Sequence, residues 1–159
     1  MGAVIVKLSD GKYINEDALD KVIPYIMRLN NPMLIGGCGI VPISEDAVIE
    51  QFYKVKEVYG MTGGKQIVHI IVSVDKSLRF QEIHLKQLAD RMSAEIGKER
   101  QVVYAVHNDT NQLHFHMGIN TVAYNGTYCD FFEIHKLIAL AKKCVSTIVD
   151  EVWFHKNEI

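Results

Sequence analysis

The chain reads QVVYAVHNDTNQLHFHMGIN from Gln101 to Asn120, and no other segment has so clear a pattern. Two runs rich in β-branched and other apolar residues flank Asn108–Asn111, four residues that all favour turns. This arrangement is typical of a β-hairpin. We therefore expect antiparallel strands at Gln101–His107 and Gln112–Val122.

The register of this hairpin decides which side chains share a face. A loop of four residues would pair His107 with Gln112. The same register would place Ala105 opposite His114. Strand side chains alternate between faces, so His116 joins His114, and cross-strand pairing brings His107 to the same side. The apolar residues then fill the opposite face, and a one-residue slip would expose them.

Three imidazoles that converge on an open face form an incomplete coordination shell. Such a shell suits a catalytic metal ion that keeps free positions for substrate. Zinc, manganese and copper suit imidazole, whereas magnesium prefers oxygen ligands, which phosphate and water would have to supply. We expect a divalent metal at His107, His114 and His116. The alternative is a His-x-His pair on a strand without any metal.

The rest of the chain alternates between helical and extended patterns. The predicted elements are strand Ala3–Leu8, helix Glu16–Arg28, helix Glu45–Tyr59, strand Gln66–Val74, helix Phe80–Ile96 and a final helix from Phe132 to about Trp153. Asn15 is the expected N-cap of the first helix, which Pro24 should kink or shorten. Gly36–Val41 fits either a loop or a short edge strand. These elements predict an α+β fold, with helices packed on a central, mostly antiparallel sheet of about five strands.

Composition restricts the class of protein. The 159 residues are 48% hydrophobic and 23% charged, which fits one globular domain over residues 1–159. No run approaches the roughly 20 apolar residues that cross a bilayer. The N-terminus lacks the basic flank of a secretory signal, so we expect a cytoplasmic protein. The odd, widely spaced set of Cys38, Cys129 and Cys144 predicts reduced, mostly buried thiols.

The net charge of −2 argues against an ordinary nucleic-acid-binding domain, because DNA affinity depends largely on phosphate neutralisation. A local basic patch would be needed, or regions outside this chain. The candidates for the patch are Lys54, Lys56, Lys65, Lys76 and Arg79. Scattered lysines are more often a solvated surface.

The histidine segment resembles the third motif of relaxases, the mobilisation nucleases of plasmids and integrative elements within the HUH endonuclease superfamily. The matching residues are His107, Asp109, Thr110, His114, His116 and Asn120. The likeness is closest to the MobA/VirD2-like branch. LDKVIPYI at Leu19–Ile26 is similar to its tyrosine motif, and HIIVS at His69–Ser73 to its second motif. Order and spacing agree over roughly residues 15–130, which implies an HUH relaxase-like fold.

The resemblance implies roles for single residues. Tyr25 would be the nucleophile, the three histidines metal ligands, and Ser73 a contact to DNA near the scissile phosphate. Asp109 would orient a histidine or help activate the tyrosine, unless it is a simple turn aspartate. Relatives commonly carry a lysine-containing segment after the tyrosine, where this chain has Arg28-Leu-Asn-Asn-Pro. We expect Arg28 and Lys76 to contact DNA.

The implied activity is site-specific nicking and rejoining of one DNA strand through a 5′-phosphotyrosyl adduct. The implied partners are single-stranded DNA at an origin of transfer, accessory mobilisation proteins and a coupling protein. An HUH replication initiator or transposase is an alternative, and it would use a tyrosine after the histidines, Tyr124 or Tyr128. A three-histidine metal hydrolase that does not act on nucleic acid is another. Tyr13 is the nearest rival to Tyr25, and His69 is expected to be a buried histidine that fills the core or supports a ligand.

Overall fold

The structure, a computed structural model, describes residues 4–28, 31–108 and 112–158, with side chains described up to residue 146. Over these ranges five strands form one antiparallel sheet in the order β1-β3-β5-β4-β2. The strands are β1 (Val4–Leu8), β2 (Ile35–Cys38), β3 (Ile67–Val74), β4 (Val102–His107) and β5 (His114–Asn120). The helices are α1 (Ala18–Ile26), α2 (Glu45–Val58), α3 (Glu82–Ile96) and α4 (Phe131–Glu158), with short 3₁₀ turns at Pro32–Leu34 and Lys76–Leu78. The predicted α+β class is confirmed.

Helix α1 is shorter than the sequence pattern suggested. It begins at Ala18 and ends at Ile26, and Pro24 lies inside it, where one N–H is missing from the helical ladder. Asn15 does not cap this helix with its side chain, and Asp17 occupies the N-cap position without a side-chain hydrogen bond. The backbone carbonyl of Asn15 accepts from the Ala18 N–H instead. The helix is therefore fixed by packing of its buried face rather than by a capping residue.

The ambiguous Gly36–Val41 segment is partly a strand. β2 covers Ile35–Cys38 and pairs with β4 at the edge of the sheet. A β-carbon at Gly36 would lie 2.6 Å from the Tyr104 hydroxyl oxygen, so only glycine fits opposite this tyrosine. The Gly-rich composition therefore reflects close approach of a neighbouring side chain within the sheet.

The predicted register of the hairpin is wrong by two residues. His107 pairs with His114 rather than with Gln112, and Ala105 lies opposite His116 rather than His114. The reason is that the chain just before β5 turns towards β3, where the Val74 N–H donates to the Leu113 carbonyl at 3.1 Å. Because side chains alternate with a period of two, an even shift leaves every residue on its predicted face.

Helices cover both faces of the sheet. α3 and α4 pack on one face, over a core that includes Val68, Ile70, Val72, Tyr104, Val106, Phe115 and Met117. α1 and α2 pack on the other face, over a smaller core that includes Leu19, Ile23, Ile26, Phe52, Ile67, Val103 and Ala105. The three histidines belong to this second face, at the end of the sheet that α1 crosses. All three cysteines are free, and Cys129 and Cys144 are buried.

Candidate active site

The three histidines meet on the α1 face of β4 and β5. His107 and His114 are direct cross-strand partners, and His116 lies two residues further along β5. Each ring offers one nitrogen, and these three nitrogens lie within 4.8 Å of one another. Ala105 is the cross-strand partner of His116, and its small side chain leaves room for the imidazole. The predicted convergence of the three rings is thus present despite the changed register.

Burial keeps part of this cluster uncharged. His107 and His116 expose 0% and 3% of their surface, whereas His114 is partly exposed and opens the cluster to solvent. Burial, reinforced by the neighbouring His107, His69 and His114, lowers the pKa of His116 to about 3. A neutral imidazole is the form that binds a metal ion, so His116 is ready to act as a ligand near neutral pH.

Hydrogen bonds indicate which nitrogen of each ring carries the proton and which nitrogen carries the lone pair that a metal ion would need. The His107 Nε2 lies 2.7 Å from the Ile26 carbonyl, and the His114 Nδ1 lies 2.8 Å from the Gln112 carbonyl. A carbonyl can only accept, so each of these nitrogens carries the proton. The lone pairs then lie on His107 Nδ1 and His114 Nε2. Three imidazole nitrogens so close together fit a divalent ion with affinity for nitrogen and with free positions for oxygen ligands.

Tyr25 lies over this cluster and is open to solvent. Its side chain is 50% exposed, and its ring stands edge-on to His116 with centroids 5.3 Å apart. Arg28 lies one helical turn further on, with Cζ 4.3 Å from the centre of the tyrosine ring. The Arg28 guanidinium also donates to the Tyr25 carbonyl at 2.7 Å. An exposed phenol and an exposed cation therefore lie over the three imidazoles, of which His114 is the one that reaches solvent.

The other predicted site residues are distributed around this surface. Ser73 on β3 is the direct cross-strand partner of His114 and is partly buried. Lys76 and Arg28 are exposed, Lys76 in the 3₁₀ turn that follows β3 at the same end of the sheet. Asp109 and Thr110 lie outside the described residues, so the expectation for Asp109 stays a prediction.

One of the residues predicted to form a basic patch is not on the surface. Lys56 is fully buried, where its ammonium donates to the Thr121 hydroxyl at 2.8 Å, so its place in a DNA-facing patch is wrong. The helical pattern of α2 turns this lysine inward. Lys65 donates to two backbone carbonyls of the Gly11–Lys12 segment, and exposed Lys54 lies 3.6 Å from Glu50. Arg28 lies two residues after α1 and Lys76 two residues after β3, and both are exposed.

Two further residues adjoin the cluster, and sequence reasoning assigned neither a definite role in it. His69 on β3 lies on the same face, and its Nε2 is 2.7 Å from the His116 Nδ1. The Tyr13 hydroxyl lies 3.0 Å from the His69 Nδ1 on the other side of that ring. His69 shares strand parity with Ser73, a signal that places it on the site face. No pattern in the sequence places Tyr13 there.

Comparison with protein families agrees with this geometry. An antiparallel sheet with converging imidazoles beneath an exposed tyrosine fits a nuclease domain that cuts DNA by transesterification. The family model described as "Relaxase: MobA/VirD2-like, nuclease domain" matches residues 25–146, and the chain belongs to that family. No curated protein matches the chain. Among the described helices, none combines the length and apolar character needed to span a membrane.

Family membership gives the coarse function. A relaxase nuclease domain nicks DNA and binds single-stranded DNA at an origin of transfer. Relaxases use divalent metals, and the three histidines are a cluster that could hold one.

Proposed function

We propose that this protein nicks and rejoins one DNA strand with Tyr25 as nucleophile, beside a divalent metal ion held by His107, His114 and His116. The observation that carries the proposal is the half-exposed Tyr25 ring, edge-on to His116 above three imidazoles whose nitrogens lie within 4.8 Å. A solvent-exposed phenol next to a cluster of potential metal ligands is accessible to a phosphodiester of bound DNA. Manganese or magnesium is the expected ion.

The chemistry exchanges one phosphodiester for another. The Tyr25 hydroxyl loses its proton and its oxygen bonds to the phosphorus, while the bond from phosphorus to the 3′ oxygen breaks. The 3′ oxygen takes up a proton, which leaves a free 3′-hydroxyl and a 5′-phosphotyrosyl link. When bound, a divalent ion would supply charge stabilisation for the non-bridging oxygens. Since the bonds made and broken are alike, the reverse reaction rejoins the strand without ATP.

Side chains around the tyrosine suit the same reaction. The Arg28 guanidinium, stacked on the Tyr25 ring, would hold an incoming phosphate beside the phenol. Ser73, beside His114, would donate to a phosphate oxygen near the scissile bond. Lys76 would contact the strand further along. Asp109 would orient a histidine or help to deprotonate the tyrosine.

The alternative tyrosines have a different place in the fold. Tyr124 and Tyr128 follow Asn120, at the end of β5 opposite to His114. The Tyr124 N–H donates to the Glu99 carbonyl, and the Tyr128 hydroxyl accepts from the Lys65 N–H, both away from the imidazoles. This placement favours Tyr25 over the arrangement of a replication initiator or transposase.

A denaturing gel tests the nucleophile. The protein is incubated with Mn²⁺ and a random library of 5′- or 3′-labelled single-stranded oligonucleotides, and covalent adducts are detected by their shift. The wild type should form an adduct, Tyr25→Phe should form none, and a native gel should show that Tyr25→Phe still binds DNA. Tyr124→Phe and Tyr128→Phe are the matched controls and should keep the adduct. An adduct with Tyr25→Phe, or its loss with either control alone, would contradict the proposal.

A further inference from the structure

We propose that a string of hydrogen bonds through Tyr13 and His69 positions His116 as a metal ligand. The inference rests on the proposed function, because it takes His116 as one of the three ligands. It adds Tyr13 and His69 as positioning residues, which act on the candidate metal site through His116.

The contacts form an unbroken series. The His116 Nδ1 lies 2.7 Å from the His69 Nε2, and the His69 Nδ1 lies 3.0 Å from the Tyr13 hydroxyl oxygen. That hydroxyl lies 2.6 Å from the Ser9 Oγ. Four side chains from three parts of the chain are therefore joined end to end, and the series ends on the candidate ligand.

Binding of a metal ion by His116 would determine which partner donates in each hydrogen bond of the series. If His116 binds an ion through Nε2, its proton lies on Nδ1 and is donated to the His69 Nε2. The His69 proton then lies on Nδ1 and is donated to the Tyr13 oxygen, whose own hydrogen goes to Ser9. Metal-binding histidines generally donate their second N–H to such a partner, which fixes the tautomer and the ring orientation. Here the partner is a second histidine.

The same contacts argue against His69 as a fourth ligand. Both of its ring nitrogens lie within hydrogen-bond distance of other side chains, and its one lone pair, on Nε2, would already accept from His116. The ring is also almost completely buried, with 3% of its surface exposed. His69 pairs across the sheet with Gly118, two residues beyond His116 on β5, and that offset places it beside the His116 ring rather than at the opening.

The segment around Tyr13 is built to hold this ring in place. Tyr13 has a φ of 53°, a left-handed conformation that a residue with a side chain rarely adopts and that neighbouring contacts must maintain. Its carbonyl accepts from the Gln66 N–H at 2.8 Å, and the Lys65 ammonium lies 5.1 Å from the ring centre. A β-carbon at Gly11 would come within 2.4 Å of the ring. The left-handed backbone at Tyr13 and the absence of a side chain at Gly11 thus both fix the position of the Tyr13 ring.

Two amide substitutions of His69 test its two ring nitrogens separately. The amide of His69→Gln reaches the position of Nε2 and can still accept from His116, whereas the shorter amide of His69→Asn imitates Nδ1 and reaches only Tyr13. The affinity of the full chain for Mn²⁺ is measured by titration calorimetry without DNA. We expect His69→Gln to stay within a few-fold of wild type and His69→Asn to bind roughly 10–100-fold more weakly, the usual loss for an outer partner of a ligand.

Tyrosine variants provide a second test if a His69 variant does not fold. Tyr13→Phe removes one hydroxyl from the series and should weaken Mn²⁺ binding several-fold. Tyr53→Phe is the matched control, because its hydroxyl donates to the Glu16 carbonyl outside the series, and it should bind Mn²⁺ like wild type. Thermal unfolding of each metal-free variant shows whether it is folded.

The outcomes are distinct. Equal Mn²⁺ affinity in His69→Gln and His69→Asn, or equal affinity in Tyr13→Phe and Tyr53→Phe, would overturn the positioning role even if wild type binds metal and forms the DNA adduct. A wild type that binds no Mn²⁺ and forms no adduct would instead overturn the proposed function, and this inference with it.

Discussion

At the scale of single residues, exposure distinguishes His114 from the other two histidines. His107 and His116 are buried in the sheet face, whereas His114 is partly exposed and its ring hydrogen-bonds to the nearby Gln112 carbonyl. Its removal would delete one donor of the cluster with little loss of packing. His114 therefore offers the cleanest separation of metal binding from folding.

We expect His114→Ala to weaken Mn²⁺ binding and adduct formation together, by at least the roughly 10–100-fold that follows loss of an outer partner of a ligand. The free energy of unfolding of the metal-free protein should stay within about 1 kcal/mol of wild type, as for most surface substitutions. Calorimetry, the denaturing gel and urea unfolding measure the three quantities. His135→Ala, at an exposed position on α4, is the control and should change none of them. Loss of the adduct with unchanged Mn²⁺ affinity would count against His114 as a ligand.

Sequence and structure agree unevenly for single residues. The three histidines could be predicted to converge because strand parity and a turn are both local signals. Tyr13 could not, because it meets His69 across 56 residues of sequence and through a backbone conformation that no pattern predicts. Lys56 was misplaced because a lysine on a helix is ordinarily exposed, and here a neighbouring threonine and the fold bury it.

At the scale of elements, α1 rests on β5 through a glycine. A β-carbon at Gly118 would lie 2.9 Å from the Ile26 Cδ1 and 2.8 Å from the Ile67 Cδ1. Ile26 follows Tyr25 directly, so the missing side chain at Gly118 sets how closely the tyrosine helix approaches the imidazoles. The packing of α1 on β5 and the geometry of the site are therefore linked.

Gly118→Leu tests this link. Overpacking of a filled interface should lower the free energy of unfolding by about 1–3 kcal/mol and move α1 outwards. Adduct formation should fall more than Mn²⁺ affinity, because the ligands stand on the sheet and the nucleophile on the helix. Gly63→Leu is the matched control, since a β-carbon there meets nothing within 4 Å. An equal effect of both substitutions on the adduct would show that the packing of α1 on β5 does not matter.

Element by element, the long periodic segments could be predicted and the pairing details could not. α2, α3 and β3 lie within two residues of their predicted bounds, because capping signals and β-branched runs mark them. The hairpin register was missed because it depends on the tertiary bond from Val74 to Leu113, which loop length alone does not reveal.

At the scale of the whole molecule, the end of the sheet opposite the site contains two buried cations. Lys56 and Arg100 expose 0% and 1% of their surface, and Arg100 donates to the Thr121 carbonyl at 2.7 Å. Burial, together with the nearby Arg100, lowers the pKa of Lys56 from 10.5 to about 8. The fold thus disfavours the charged form of Lys56 relative to the unfolded chain, so stability depends on pH through this group.

Between pH 8 and 10.5 the unfolded chain keeps a proton on Lys56 that the folded chain has released, so this group makes stability rise with pH in that interval. Below pH 8 both states are protonated, and the full penalty of burying the charge remains. Relative to Lys56→Met, the wild type should therefore gain up to about 1.4 kcal/mol of unfolding free energy per pH unit across the interval. Urea unfolding at about pH 7, 8.5 and 10 measures the gain. Lys54→Met, at an exposed position, should show no such trend, and parallel pH profiles for wild type and Lys56→Met would contradict the assignment.

The pairing of His107 with His114 also bears on how freely the connection between β4 and β5 can vary among relatives. The pairing of β5 with β3 holds β5 in place independently of this connection, so residues can be gained or lost within the connection without moving the rings. A slip of the β4–β5 pairing by one residue would instead turn His114 and His116 to the opposite side of the ribbon from His107. The connection therefore has to conserve the pairing of the two strands and not a number of residues.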